Sequence, residues 1–427
     1  MFLRTFCAAA ILCGPLLSQE VVKLDLAGAL QRARDYNQQF LTAGISAALA
    51  REDRIQAKAA LFPSLNALSQ YIYTQGNGTP SGVFISNDGV HVYNDQAALH
   101  AEVFSIAKRA DYQRSIAAEA VAKAKQDIAI RGLVGVVVQS YYALLSAQRH
   151  EANARRSLDE AAIFLDITQK QERGGEVARA DVIKAQLQFQ QRQRDLLDAQ
   201  TNTQKARISL GVIVFPNLNQ AYEIADDLAA DKPLPPIDEV TSLAQSTSPE
   251  IRASQAGMRQ ARAQIASAKA AYLPTLSLDY FYGINANVLN TRGPDDRQNL
   301  GSVVQGTLNI PVWNWGATRS KIRQAELEQR QAQLELTFAQ RTLATNISSF
   351  QLEAQAARAQ LDSLRSSMDL STESLRLTLL RYQAGEATAL EVVDAQSTLA
   401  QARNAYDDGL ARYAVALANL QTLTGRF

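Results

Sequence analysis

The chain repeats itself, and this limits its fold more than any other feature. AKAALFPSLNALSQYIY at 57–73 returns as AKAAYLPTLSLDYFY at 268–282, with Pro63 and Pro274 211 residues apart. GGEVARADVIKAQ at 174–186 returns as AGEATALEVVDAQ at 384–396, with Gly175 and Gly385 210 residues apart. EVFSIAKRA at 102–110 is echoed more loosely by PVWNWGATR at 311–319. Three segments recurring in one order at nearly one offset mark a duplicated unit. The first copy spans 19–212 and the second 240–427; a segment at 213–239, containing VFPNLN and DKPLPPID, links them.

Both copies follow the same path. Helical patterns cover roughly 24–60 and 240–271, and a proline then introduces a strand-like stretch. Loops rich in Gly, Asn and Pro follow at 74–89 and 287–299. A second strand comes next, then a very long helix, a glycine turn and a closing helix. From Ala317 to Gln383 there is neither proline nor glycine, which at ~1.5 Å per residue is on the order of 100 Å of helix. The equivalent stretch at 107–172 carries two glycines, Gly132 and Gly135. Leu343, Ile347, Phe350, Ala354, Ala357, Leu361, Leu364, Met368, Ser371, Leu375, Thr378 and Tyr382 alternate steps of four and three. That is the coiled-coil rhythm. A coiled-coil rod alone would leave the strands unexplained.

The strands alternate with period two. In TLSLDYFYGI, Leu276, Leu278, Tyr280, Tyr282 and Ile284 share one face, and Thr275, Ser277, Asp279, Phe281 and Gly283 the other. In VVQGTLNIPV, Val304, Gly306, Leu308, Ile310 and Val312 oppose Val303, Gln305, Thr307, Asn309 and Pro311; in ALHAEVF, Leu99, Ala101 and Val103 oppose His100 and Glu102. Strands of about ten residues suit a tilted crossing of a bilayer. Tyrosines and the pair Trp313/Trp315 near strand ends suit an interfacial aromatic belt. The same alternation fits a soluble sheet with one wet face. Four strands per chain cannot close a barrel, and lipid does not tolerate open edges. A membrane reading therefore requires oligomerisation: three chains would supply a 12-stranded barrel, with the long helices forming a tube continuous with it.

The N-terminus, MFLRTFCAAAILCGPLLSQE, combines Arg4, an apolar run from Phe6 to Leu12 and a Gly14-Pro15 break. It reads as a signal peptide over 1–18, cleaved near Ser18. Cys13 is the alternative point of lipid attachment, but Leu12 before it is larger than that motif takes. Cleavage near Ser18 would remove both cysteines, Cys7 and Cys13. No later segment offers ~18–20 uninterrupted apolar residues. With 43 basic and 42 acidic residues, the composition gives no support for a nucleic-acid partner. Three histidines and no other thiols leave no Cys/His metal cluster. No Walker pattern or phosphate-cradling loop suggests a nucleotide cofactor.

AKAAYLPTLSLD (268–279), IPVWNWGATRSKIRQAE (310–326) and RYQAGEATALEVVDAQSTLAQAR (381–403) resemble, in order, the membrane entry, the strand-to-helix exit and the periplasmic tip of the TolC family of outer-membrane efflux proteins. The resemblance spans essentially the whole mature chain, with Trp313 where the family usually has phenylalanine. It implies a mainly α fold with β: a homotrimer with a transmembrane β-barrel in outer-membrane lipid and a coiled-coil α-barrel in the periplasm. It also implies a passive exit duct, with no enzymatic activity, working with a periplasmic adaptor and an inner-membrane efflux or secretion pump. By the same resemblance Glu391 and Asp394 form the pore constriction, and Tyr382 and Asp181 belong to the gate latch. Gly174, Gly175, Glu176, Gly385 and Glu386 form tips that dock the adaptor. Ala387 stands where the family's best-known member has a latch arginine, and Arg179 is the alternative cation nearby.

Independently of family, carboxylates brought together in a narrow pore repel one another and attract cations. Glu391 and Asp394 are therefore expected to make the closed channel cation-selective, some of them with raised pKa values. Without such assembly they are ordinary carboxylates near a helix N-terminus. The rival reading for the whole chain is a soluble periplasmic coiled-coil scaffold. An enzyme is the weakest class, because no catalytic spacing occurs and His91 and His100 merely flank a loop and a strand.

Overall fold

The computed structural model describes residues 22–73, 91–217, 220–228, 233–293 and 296–425. The leader at 1–18 with Cys7 and Cys13, and the loop at 74–89, lie outside the described residues. In chain order the elements are β1 (Val22–Leu24), α1 (Leu26–Tyr36), α2 (Gln38–Ala59), β2 (Ser64–Tyr73), β3 (His91–Phe104), α3 (Ile106–Gly174) and α4 (Arg179–Val214), followed by β4 (Tyr222–Ile224), α5 (Ile237–Thr247), α6 (Pro249–Ala270), β5 (Thr275–Ala286), β6 (Leu300–Asn309), α7 (Ala317–Gln383) and α8 (Ala389–Thr424). They divide into two compact units: Met1–Gln38 with Arg131–Val240 and Ser348–Phe427, and Gln39–Ile130 with Thr241–Ile347.

Local chemistry sets the helix ends. Each helical pattern expected near 24–60 and 240–271 is broken in two. Asp25 caps α1 by accepting the Gly28 amide at 2.7 Å, and α1 ends where Asn37 turns extended. α6 starts at Ser248-Pro249: Ser248 accepts the Ile251 amide and Pro249 fills the first turn, where its missing N–H costs nothing. The long helices run uninterrupted. α3 passes through Gly132 and Gly135, and α7 matches the stretch without proline or glycine. All twelve seam positions from Leu343 to Tyr382 are buried or half-buried, while Leu352 and Leu370, off the seam, remain exposed. α3 also includes an 18-residue stretch that is apolar enough, by length and composition, to cross a membrane. Val137, Val138, Tyr141, Leu144 and Leu145 of α3 are buried within the first unit, as in the core of a helical bundle.

In the first unit, β1 pairs parallel with β4, bringing Val22 beside Tyr222. This places part of the linking segment against α3. Tyr141 donates to the Ala225 carbonyl at 2.7 Å, and Arg149 makes two-pronged contact with Asp226 at 2.8–3.0 Å. α7 and α8 pack through Ala357, Leu361, Leu410 and Tyr413.

In the second unit, one antiparallel sheet runs β2-β3-β5-β6, so the two hairpins of the duplication meet at β3 and β5. A Cβ on Gly283 would lie 2.2 Å from the Asp95 carbonyl oxygen and 2.5 Å from the Gln96 Cα, so only glycine lets these two backbones meet. His100 faces Asp279 across the same junction, Nδ1 to Oδ1 2.5 Å. β6 stops at Asn309, short of Val312, because Pro311 offers no ladder N–H.

The two faces of this sheet are unequal. The register aligns Leu65 with Leu99 and Tyr280, and Tyr280 with Val304, on one face. The other face aligns Ser64, His100, Asp279 and Gln305. On the central strands the apolar face is the exposed one, with Leu99 of β3 and Leu276, Leu278, Tyr280 and Tyr282 of β5 exposed, whereas the edge strands β2 and β6 are exposed on both faces. The alternating polar residues of β5 are half-buried, as on the concave side of a curved sheet. Tyr71, Tyr73, Tyr93 and His91 cluster where β2 and β3 adjoin the loop, and Trp313 stacks edge-on with Trp315 after β6.

Candidate functional site: the helical hairpin tips

Both glycine turns close in the same way. Gly175 and Gly385 adopt φ of 78° and 77°, a left-handed conformation that disfavours any residue with a Cβ. In the first turn Gly175 N–H bonds the Glu172 carbonyl and Glu176 N–H the Gln171 carbonyl, both at 2.9 Å. In the second, Gly385 N–H bonds Tyr382 at 3.1 Å and Glu386 N–H bonds Arg381 at 2.8 Å. This paired pattern satisfies the last carbonyls of α3 and α7. Gly174, Gly175, Glu176, Gly385 and Glu386 are all exposed.

The helices that follow are capped differently. Thr388 and Glu391 form a capping box: Thr388 Oγ1 accepts the Glu391 amide at 3.3 Å, and Glu391 Oε1 accepts the Thr388 amide and hydroxyl at 3.1 Å. The T-x-x-E spelling marks this box in the sequence. In the first copy Ala178 holds the cap position and makes no side-chain bond.

At an offset of 210, Asp181 is the counterpart of Glu391 and Lys184 the counterpart of Asp394. The charges are therefore arranged differently. On the first hairpin Lys184 pairs with Asp181 at 3.3 Å and Arg179 with Glu172 at 3.4 Å. Arg179 is thus held by its own hairpin. On the second, Arg381 approaches Glu391 at 3.6 Å and donates to the Glu386 carbonyl at 3.0 Å. Hydrogen bonds from Thr388, and then the Arg381 charge, hold the Glu391 carboxyl below the usual carboxylate range. The raised value expected from carboxylate crowding does not arise within the single chain. The Asp394 side chain is exposed and makes no ion pair among the described residues; only its backbone carbonyl is engaged, by Thr398.

Tyr382 is buried in an apolar cluster with Phe164, Ala185, Leu375, Val392 and Leu399. Its ring meets Phe164 edge-on at 5.2 Å, and its hydroxyl donates to Thr168 Oγ1 at 3.3 Å. It therefore ties α7 to α3. Burial, with the nearby Asp181 charge as a smaller contribution, pushes its phenol above the ordinary value. Ala387 packs against the same cluster, so the position expected to lack a latch arginine makes an apolar contact instead. Thr168, Phe164 and Arg381 are partners the sequence reading does not name; nothing local marks the first two, which lie more than 200 residues from Tyr382.

The comparisons with known proteins agree with this architecture. The family model described as outer membrane efflux protein matches residues 29–214 and 240–426. The outer membrane protein TolC of Vibrio cholerae is 23% identical over 95% of this chain and 91% of its own length. The pyoverdine export outer membrane protein OpmQ of Pseudomonas aeruginosa is 28% identical over 89% and 81%. The cobalt-zinc-cadmium resistance protein CzcC of Cupriavidus metallidurans is 23% identical over 74% and 72%. Among solved structures, the CmeC outer membrane channel of Campylobacter jejuni superposes with a TM-score of 0.82 at 18% identity, covering 94% of this chain and 85% of that one. VceC of Vibrio cholerae gives 0.81 at 17% identity, covering 93% and 96%. With both copies of the duplication matched by the family model, this chain belongs to the outer membrane efflux protein family.

Proposed function

We propose that the protein is the outer-membrane exit duct of a tripartite efflux or secretion system and works as a homotrimer. It is a channel and not an enzyme. The observation that carries the trimer is the sheet: its apolar face points outward, and both edges, β2 and β6, are open. A soluble sheet would bury that face. In lipid the face is satisfied, but the edges are not. β2 and β6 run antiparallel to each other, so β6 of one copy can pair with β2 of the next. Three copies then close a 12-stranded barrel with the polar face inside. Exposed apolar side chains on α7 (Leu327, Leu334, Phe338) and, separately, on α4 (Ile183, Leu187, Leu197) leave apolar helix surface for contacts between copies.

The exposed tips at Gly174, Gly175, Glu176, Gly385 and Glu386 would dock the periplasmic adaptor, and an inner-membrane pump would supply the energy. Glu391 and Asp394 would ring the constriction, with Tyr382 and Asp181 in the latch. Relatives are named for metal resistance and for pyoverdine export, and in this reading selection of the cargo is left to the pump. The test is detergent-purified protein, sized by light scattering and reconstituted in planar bilayers. A trimer with discrete conductance steps is expected; a monomer without channel activity would overturn the reading, and recovery in the soluble fraction would favour the scaffold.

A further inference from the structure

Among the apolar clusters of the first unit, one surrounds Phe164, Tyr382 and Leu399 and another surrounds Leu361, Leu410 and Tyr413. Along the stretch of α8 between them, α8 meets α3 through polar groups. Arg403 donates to Glu160 at 2.9 Å, and Asn153 to Asn404 at 3.1 Å and to Asp407 at 2.8 Å. Arg149 donates to Asp407 at 3.1 Å and Ser146 to Asp408 at 2.7 Å. His150 Nε2 lies 3.0 Å from Asp408 Oδ1. As an ion pair the contact is at full strength only while the imidazole is charged.

A groove of about 510 Å³ lies beside this contact, bordered by His150, Asn153, Ser157, Asp195, Asp198 and Asn404. Ser157 is only 5% exposed, yet its hydroxyl has no partner. Apolar seams resist sliding because every displaced side chain loses its packing. A polar contact next to a groove large enough for water can exchange its partners for water at low cost.

We propose that His150 and Asp408 form a proton-operated tie between α3 and α8, one that holds the hairpin bearing Asp394 in place when protonated and loosens it when neutral. This rests on the channel reading above, because α8 carries Asp394 near its start and any slip of α8 along α3 moves that carboxylate. The charged groups around the imidazole are Asp407 and Asp408 from α8, Arg149 from its own helix with Asp226 from the linking segment, and Arg192, Asp195 and Asp198 from α4 across the groove. Arg149 bridges Asp407 and Asp226, one positive charge against two negative ones, so Asp407 adds to the field at the imidazole; Arg192 pairs with Asp195 at 3.0 Å, and of these carboxylates Asp408 alone touches the ring nitrogen. Asp408 is therefore the direct counter-ion.

The Asp408 side chain, opposed by partial burial, holds the His150 imidazole above its ordinary value. His150 and then Ser146 hold the Asp408 carboxyl below the usual range. A raised imidazole contributes its full stabilisation below the unfolded value, about 6.5, and loses it as pH rises through the folded value. A lowered carboxylate contributes above its unfolded value and loses that only as pH falls through its folded one. The tie is therefore intact in mildly acid medium and released towards alkaline pH.

The test is single-channel recording of the full-length protein between pH 6 and 8.5. In the wild type the open fraction is expected to rise about two- to five-fold over this range, the strength of one partly exposed ion pair. His150→Gln and Asp408→Asn should both show a flat profile near the alkaline wild-type level. A variant that keeps the wild-type profile overturns the tie while leaving the channel intact, whereas absence of any conductance in the wild type overturns the channel reading itself. Thermal unfolding separates out simple misfolding. Wild type and His150→Gln should melt together at pH 8.5 and diverge at pH 6; an equal loss of stability at both pH values would mark a packing role and overturn the proposal.

Discussion

Asp394→Asn is expected to lower the cation preference of the channel about three-fold or more, the effect of roughly one kT of potential at the constriction, whereas Glu391→Gln should leave ion preference close to wild type. The two carboxylates sit three residues apart near the start of one helix, yet their surroundings differ. Glu391 is the acceptor of its helix's capping box and the partner of Arg381, so its charge is already answered within the chain. Asp394 is exposed with no side-chain partner among the described residues. In the proposed trimer, three such unanswered charges would converge. Reversal potentials in a KCl gradient measure the difference. Equal losses in both variants would show that Glu391 leaves its cap in the assembled pore; no loss in either would place the constriction elsewhere.

The cap contribution of Glu391 is present above the unfolded carboxylate value and is lost only as pH falls through its lowered folded value. The tip should therefore keep its helix start through the whole range used to test His150, and the two effects do not overlap.

Periodic features were legible in the sequence. The four–three rhythm on α7 identifies the residues that end up covered, because only one stripe of a helix can face its neighbours. The paired glycines identify the turns, because a left-handed closing residue needs no Cβ. The period-two alternation identifies the two sheet faces, but not which of them is covered; that Leu276 and Leu278 lie on the uncovered face is visible only in three dimensions. Pairings between distant segments were not legible. His150 with Asp408 and Tyr382 with Thr168 join residues more than 200 positions apart, and no local spacing encodes such meetings. β1 and β4, three residues each, are too short to give a period. Glu391 carries two assignments at once: the family pattern makes it a pore residue, and T-x-x-E makes it a helix cap.

Leu278→Arg should nearly abolish insertion into the outer membrane, whereas Ser277→Arg, one residue away on β5, should be tolerated. Leu278 belongs to the exposed apolar face and pairs with Ala101 and Gly306, so no side chain from a neighbouring strand can shield a charge there. An arginine facing hydrocarbon near the middle of a barrel strand costs about 2–4 kcal/mol per copy, and threefold symmetry would apply that cost three times. Ser277 lies on the polar face between Glu102, which already pairs with Lys108, and Thr307, so a cation there meets polar groups and not hydrocarbon. Heat-modifiable mobility and protease protection of outer-membrane fractions report the folded, inserted population of each variant. The opposite ranking, with Ser277→Arg lost and Leu278→Arg retained, would mean that the polar face is the packed one and the apolar face the wet one. No barrel in lipid could then be built from this sheet. Two equal and mild phenotypes would show that neither face meets lipid or a packed core, and would overturn the barrel. The outward apolar face, not the long helices, is therefore what separates a duct from a rod, since a rod would use the same coiled-coil seam and the same glycine turns.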